Sequence, residues 1–236
     1  YTLTEELPTN CNWQATTPDV IEGILIDTCA GPANASHTFG NKITGLADFG
    51  TKGYWHNKNG LTEITCDEDP TTDDDVQYIN GLAPYAAASS YFEEGDEPFD
   101  GYFSDGFTPV PAAYKVKEDG STEEIWGAGT CQAEISQFLV GANAGGDPRE
   151  QLAQQLLAFI LNVRHRLGGD GAVQLPDGSF KLASELIAEA IAAWSTGTAS
   201  EQNQMQELLN ALNESDALPY IFYEPCEVIY PEPPAP

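Results

Sequence analysis

The residues best equipped for chemistry in this chain are its carboxylates. Asp and Glu number 37 in 236 residues, and many are gathered into two runs. The first holds Asp67, Glu68, Asp69, Asp73, Asp74 and Asp75; the second holds Glu93, Glu94, Asp96, Asp100 and Asp105. Oxygen-rich loops suit a hard cation such as calcium, with Asp67, Asp69, Asp73, Asp75, Asp96 and Asp100 as candidate ligands. Neither run has the EF-hand spacing with Gly at its sixth place, and Asp119-Gly-Ser-Thr-Glu123 lacks it too. The opposing reading is a solvated acidic surface, the usual fate of a charge run. Two carboxylates could also serve a glycosidase, but with so many acids no spacing selects a pair.

Other catalytic signatures are missing. There is no G-x-S-x-G elbow and no H-E-x-x-H. Gly127-Ala-Gly129 lacks the third glycine of a dinucleotide loop, and no P-loop occurs. The histidines are His37, His56 and His165; His165 follows Arg164 in a Leu-rich segment and reads as interfacial. No catalytic residue is assigned. The chain reads as a protein that is not an enzyme, with an exported hydrolase as the third choice.

Cys11, Cys29, Cys66, Cys131 and Cys226 contain no C-x-x-C pair, so zinc-ribbon, thioredoxin and haem-attachment patterns are absent. Wide spacing favours disulfides in an exported chain, with the pairing open and one thiol left over. Asn34-Ala-Ser36 and Asn213-Glu-Ser215 are glycan-acceptor triplets. Tyr1 is not Met, and the residues after it are neither basic nor continuously apolar, so the expectation is a mature exported chain at the cell surface or outside it.

Charge narrows the partners. Nine Lys and Arg against the 37 acids give a formal net charge of −28. Nine scattered cations make no nucleic-acid footprint, and an anionic membrane surface would repel the chain. The longest apolar stretch, around Leu156 to Val163, is too short to span a bilayer. A 41% hydrophobic and 10% aromatic composition belongs to a folded chain. Trp13, Trp55, Trp126 and Trp194, with the tyrosines, could form a glycan platform but more often fill a core.

These residues must be held by elements whose signals change along the chain. Tyr1–Glu5, Val20–Asp27, Leu218–Tyr223 and Glu227–Tyr230 read as strands. Asn80–Phe92 reads as a helix around Ala86, Ala87 and Ala88. Hairpins are expected over Tyr114–Trp126 and Val173–Leu182, turning at Asp119-Gly120 in a type I′ turn and at Asp177-Gly178. Helices are expected at Cys131–Val140, from Asp147-Pro148 along Leu152, Leu156, Ile160, Val163 and Leu167, at Leu182–Trp194, and from the capping box Thr198-Ala-Ser-Glu201 to Leu212. The fold class is therefore α+β. A β-rich N-terminal half, sandwich-like or an irregular sheet, joins a C-terminal layer of helices and hairpins in a single mixed domain, 1–236. Residues 1–10 and 224–236 read as extended tails, the last of them Pro-rich.

Gly53-Tyr54-Trp55-His56-Asn57-Lys58-Asn59-Gly60 resembles a motif of exported bacterial proteins, G-[FY]-W-x-N-K-N-G. In those proteins a later Leu/Ala-rich helix ends much as Leu161-Asn162-Val163 does here. The resemblance spans Gly53 to Leu212 loosely and leaves Asp67 to Ala128 unmatched. It implies an extracellular, structural or adhesive role. Read without the family, Gly53 and Gly60 bracket a tight segment, Trp55 buries, and Asn57 and Asn59 bond backbone, which makes the motif a folding staple.

The leading expectation is a self-assembling extracellular filament or surface-layer subunit. Copies would join by exchange of a terminal strand or tail, with Tyr1, Leu3, Tyr220, Phe222, Ile229 and Tyr230 at the contact. The alternative is a calcium-stabilised adhesin or glycan-binding module.

Overall fold

The computed structural model describes residues 3–4, 13–15, 20–21, 41–66, 74–86, 99–102, 108–117, 119–141, 146–167 and 170–222. It mixes helix with small antiparallel sheets, as an α+β chain should. In chain order the first elements are β1 (Leu3–Thr4), β2 (Trp13–Ala15), β3 (Val20–Ile21) and β4 (Asn41–Ala47). Three short helices follow: α1 (Lys52–Trp55), α2 (Lys58–Leu61) and α3 (Asp75–Asn80). Then come β5 (Ala113–Val116), β6 (Thr122–Trp126), α4 (Cys131–Gly141) and α5 (Pro148–Asn162), the last running into a π-helical turn at Val163–Leu167. The chain continues through β7 (Ala172–Gln174), β8 (Phe180–Leu182), α6 (Ala183–Thr196), α7 (Ala199–Asn213) and β9 (Leu218–Phe222).

The main sheet is five-stranded and antiparallel, in the order β2-β4-β9-β7-β8. Strands from both ends of the chain therefore share one sheet, which differs from a β-rich half beside a helical half. Alternation along β9 sends Leu218 and Tyr220 to the helical side. Tyr220 lies across Gly45 of β4, where a Cβ would come within 2.4 Å of its ring. Tyr220 and Phe222, expected at a subunit contact, thus sit in a strand whose two edges are taken by β4 and β7. Leu3 pairs with Ile21 inside the chain. Tyr1, Ile229 and Tyr230 lie outside the described residues, as does the strand expected at Glu227–Tyr230.

Helix α5 is the axis of the core. Asp147 caps it, its carboxylate accepting from the Arg149 amide at 3.0 Å, and Pro148 takes the first turn where no N–H is needed. The spacing predicts a single apolar stripe, yet every residue from Leu152 to Asn162 is buried. The reason is enclosure: α1, α3, α4, α6 and α7 all pack on it. Each buried Leu, Ile or Phe there contributes about 1.5–3 kcal/mol. The capping box of α7 forms as expected, with Glu201 Oε2 accepting from the Thr198 amide at 2.7 Å and Thr198 Oγ1 accepting from the Glu201 amide at 3.4 Å.

Two local expectations are corrected. In place of the helix expected at Asn80–Phe92, α3 starts at its Asp74 cap, which accepts from the Val76 amide at 2.7 Å, and stops at Asn80, with turns over residues 81–86; residues 87–92 lie outside the described set. Both Asp-Gly turns form, with Gly in the left-handed region, at φ +79° for Gly120 and +86° for Gly178, and Asp outside it. A type I′ turn needs positive φ at both central residues. Asp119 and Asp177 avoid it, since each carboxylate accepts from the amide and hydroxyl of the serine two residues on.

Candidate functional site

The GYWHNKNG segment forms α1, the link through His56 and Asn57, and α2. Thr51 caps α1 by accepting from the Tyr54 amide at 3.0 Å. Asn57 Nδ2 donates to the Gly53 carbonyl at 2.5 Å and ties the two helices together. Gly60 is required by close approach: a Cβ there would lie 2.6 Å from the Tyr54 carbonyl oxygen. Trp55 is fully buried, and its Nε1–H donates to Asn162 Oδ1 at 3.0 Å. The geometry at Trp55, Asn57 and Gly60 suits a staple, whereas a Cβ at Gly53 would meet Thr51 Oγ1 at 3.3 Å. Asn59 is exposed.

Asn162 extends that junction. Its Oδ1 also accepts from the Gly50 amide at 2.6 Å, and its Nδ2 donates to the Gly50 carbonyl at 2.8 Å and to Asn213 Oδ1 at 2.9 Å. Asn213 in turn donates to the backbone and side-chain oxygens of Gln155, each at 3.0 Å. These amides use their donors and acceptors on one another, as buried polar groups must. Asn213 was a glycan-acceptor candidate; fully buried and bonded in this way, it has no room for a sugar in the folded chain. Asn34 lies outside the described residues.

The π turn then presents Arg164, His165 and Arg166 to two carboxylates. A π turn is wider than an α turn, so successive side chains diverge less around the axis. Asp75, on the first turn of α3, accepts from Arg164 Nε at 2.5 Å, meets His165 Nε2 at 2.9 Å, and accepts from the Thr65 amide at 2.9 Å and its hydroxyl at 3.1 Å. Burial alone would raise the Asp75 pKa; the hydrogen bonds from His165, Thr65 and Arg164 outweigh it and hold the carboxyl at about 2. Arg166 grips both oxygens of Glu63, at 2.6 and 2.7 Å, and donates to the Tyr54 hydroxyl at 3.0 Å. Tyr54 donates to the same carboxylate. The Arg166 contact holds Glu63 below the usual carboxylate range, while the bond to Glu63 pushes the Tyr54 hydroxyl up.

Asp75, a candidate metal ligand by sequence, has its two oxygens bonded by Arg164, His165 and the Thr65 amide and hydroxyl. Asp100 accepts from the Tyr102 amide at 2.7 Å. Among the described residues no three His, Cys, Asp or Glu side chains gather as a metal-binding group. Asp67, Asp69, Asp73 and Asp96 lie outside those residues. Cys66 and Cys131 are joined by a disulfide; Cys11, Cys29 and Cys226 lie outside. Sequence reasoning missed Glu63, Asn162, Arg164 and Arg166. One signal was readable, since Arg164-His-Arg166 concentrates two of only nine Lys and Arg residues in three positions.

Beside the Asp75 cluster lies a cleft of 460 Å³ between α3, the π turn and α6. Val163, Ile187 and the Tyr78 ring form its apolar wall; Thr65, His165, Asp170 and Ser184 supply polar groups. Asp170 accepts from the Ser184 amide at 3.0 Å and hydroxyl at 2.8 Å, and so caps α6 from a distant loop. No helix among the described residues is long and apolar enough to cross a membrane. No family model, curated protein or solved structure matches the chain.

The Asp75 cluster predicts acid sensitivity. Its folded pKa lies below the ordinary value of 3.8, so its stabilisation is fully present above about pH 5 and is lost as pH falls through about 4 to 2. The shift corresponds to about 2 kcal/mol. Urea titrations at pH 7, 4 and 2.5 should show that loss in the wild type and a flatter profile in Asp75→Asn. Equal slopes for the two proteins would remove the cluster from the account of acid stability.

Proposed function

We propose that the chain is an extracellular structural subunit that associates with copies of itself. The observation that carries this is the β5–β6 ribbon. Its two strands pair with each other and with no further strand among the described residues. Among the described residues no strand covers either outer edge, which leaves both available for strand addition. Tyr114 and Val116 stand 55% and 69% exposed on β5. In a chain of net charge −28, Lys115 here opposes Glu123 across the ladder, and Lys117 pairs with the same carboxylate at 3.1 Å. A second copy therefore meets less repulsion at this ribbon than over an acidic surface. The disulfide favours an oxidising compartment, and the motif's resemblance to exported bacterial proteins points the same way. Tyr54, Trp55 and Asn57 of the motif spend their polar groups on hydrogen bonds within the chain, which suits a staple better than a reactive centre.

Addition of a strand from one copy to the ribbon of the next is heterologous and builds open filaments unless it closes into a ring. Salt should promote it, since charges are screened within about 8–10 Å at 0.1–0.15 M. Negative-stain microscopy and sedimentation should show oligomers in salt that Val116→Glu disperses without lowering the melting temperature. A wild type that stays monomeric in salt, with calcium or with a chelator, would overturn the proposal. Loss of assembly on deleting residues 1–10, with Val116→Glu still assembling, would move the contact from the ribbon to the N-terminal tail.

A further inference from the structure

We infer that the cleft between α3, the π turn and α6 binds a neutral pyranose sugar unit. This goes beyond self-association and does not depend on it. The size is right, since small-ligand sites run from roughly 300 to 1,000 Å³, and this cleft has 460 Å³. Its position is informative too, because π turns recur at functional sites. The ligand class follows by elimination and then by fit.

A cationic ligand is disfavoured. Arg164 already stacks on the Tyr78 ring, 4.8 Å from its centroid, so a second cation finds that ring engaged. An anion is disfavoured as well. Asp75 balances Arg164, which leaves the exposed Asp170 carboxylate in a chain of net charge −28 to repel it. What remains is an uncharged molecule with one apolar face and many hydroxyls.

The walls match that description. Tyr78 is 42% exposed although its ring lines the cleft, and Ile187 and Val163 continue the apolar wall. The C–H face of a pyranose packs on such a surface, its slightly positive hydrogens against the negative face of the ring. On the polar side, each Asp170 oxygen accepts one bond from Ser184 and keeps a further lone pair for a sugar hydroxyl. The Ser184 hydroxyl, which donates to Asp170, can accept from the ligand. The His165 ring, whose Nε2 meets Asp75, adds a further polar group to the cleft. Arg164 packed on the Tyr78 ring and the paired bonds from Ser184 to Asp170 hold these groups, so little ordering is needed on binding.

The test is saturation-transfer NMR on the full chain with methyl glycosides of glucose, galactose, mannose and N-acetylglucosamine. Inorganic phosphate and tetramethylammonium serve as charged controls. Transfer to the ring C–H protons of at least one glycoside is expected. Tyr78→Ala should weaken that binding at least tenfold, Tyr78→Phe should keep it, and Ser184→Val should weaken it while near-UV dichroism stays native. No transfer from the wild type to any of the four glycosides would overturn the inference. So would glycoside binding indifferent to Tyr78→Ala, or Tyr78-dependent binding of a charged control in place of the sugars.

Discussion

Asn162→Ala is expected to destabilise the chain by about 3–5 kcal/mol, more than most single substitutions do. The side chain is fully buried and makes four hydrogen bonds, to both backbone groups of Gly50, to the Trp55 indole and to Asn213. Alanine would orphan all of these partners at once, and each buried polar group left unpaired costs about 1–3 kcal/mol. The effect reaches beyond one residue. Asn162 is where α5 grips the motif on one side and α7 on the other, so its loss loosens three elements together. Exposed Asn59 belongs to the same motif, and Asn59→Ala should change stability by less than about 0.5 kcal/mol. Urea midpoints for the two variants decide the matter. Similar values would mean that the motif is held by packing alone and not by this amide.

The second large effect is expected from Cys66→Ala with Cys131→Ala. The disulfide joins residues separated by 65 positions, with Cα atoms 6.4 Å apart. Closing a loop of that length restricts the unfolded chain and stabilises the fold by about 4 kcal/mol on the chain-entropy model. The bridge ties the start of α4 to the segment that leads from Glu63 and Thr65 towards α3. Removing it should lower the urea midpoint without changing the hydrogen bonds of the Asp75 cluster. A reducing agent should bring the wild type to the same midpoint as the double variant. A shift below about 1 kcal/mol would show that the unfolded chain is already compact around this loop.

Much of the helical part was legible because its signals are local. Asp147-Pro148 and Thr198-x-x-Glu201 state their caps within four residues, and the Asp-Gly pairs mark both hairpins. Trp55 was readable as a buried anchor between two glycines. The misplaced helix had a competing signal. Asp74 before Val76 and Ile79 is a cap followed by an i, i+3 apolar pair, and it outweighs the Ala run that drew the expectation further along. What sequence could not provide was long-range pairing. Asp75 looked like one acid among many, and only the fold brings Thr65, Arg164 and His165 onto it. The order of the sheet was equally hidden, because the strands are short and their partners distant. The π turn has no pattern of its own here, since Val163-Arg-His-Arg-Leu167 would read equally well as the end of an α-helix.

The place of β9 bears on how the chain reaches this fold. Synthesis proceeds from the N-terminus, so β9 emerges after every other described element, yet it stands in the middle of the sheet, pairing Ala47 with Leu218 on one side and Val173 with Tyr220 on the other. Until it arrives, β2 and β4 have no sheet to join. The helices, whose contacts are nearer in sequence, can collapse around α5 first. Contacts of such wide separation slow folding, and the waiting strand edges are open to other chains. On the proposed reading of an exported subunit, the sheet would close only once this last strand is delivered.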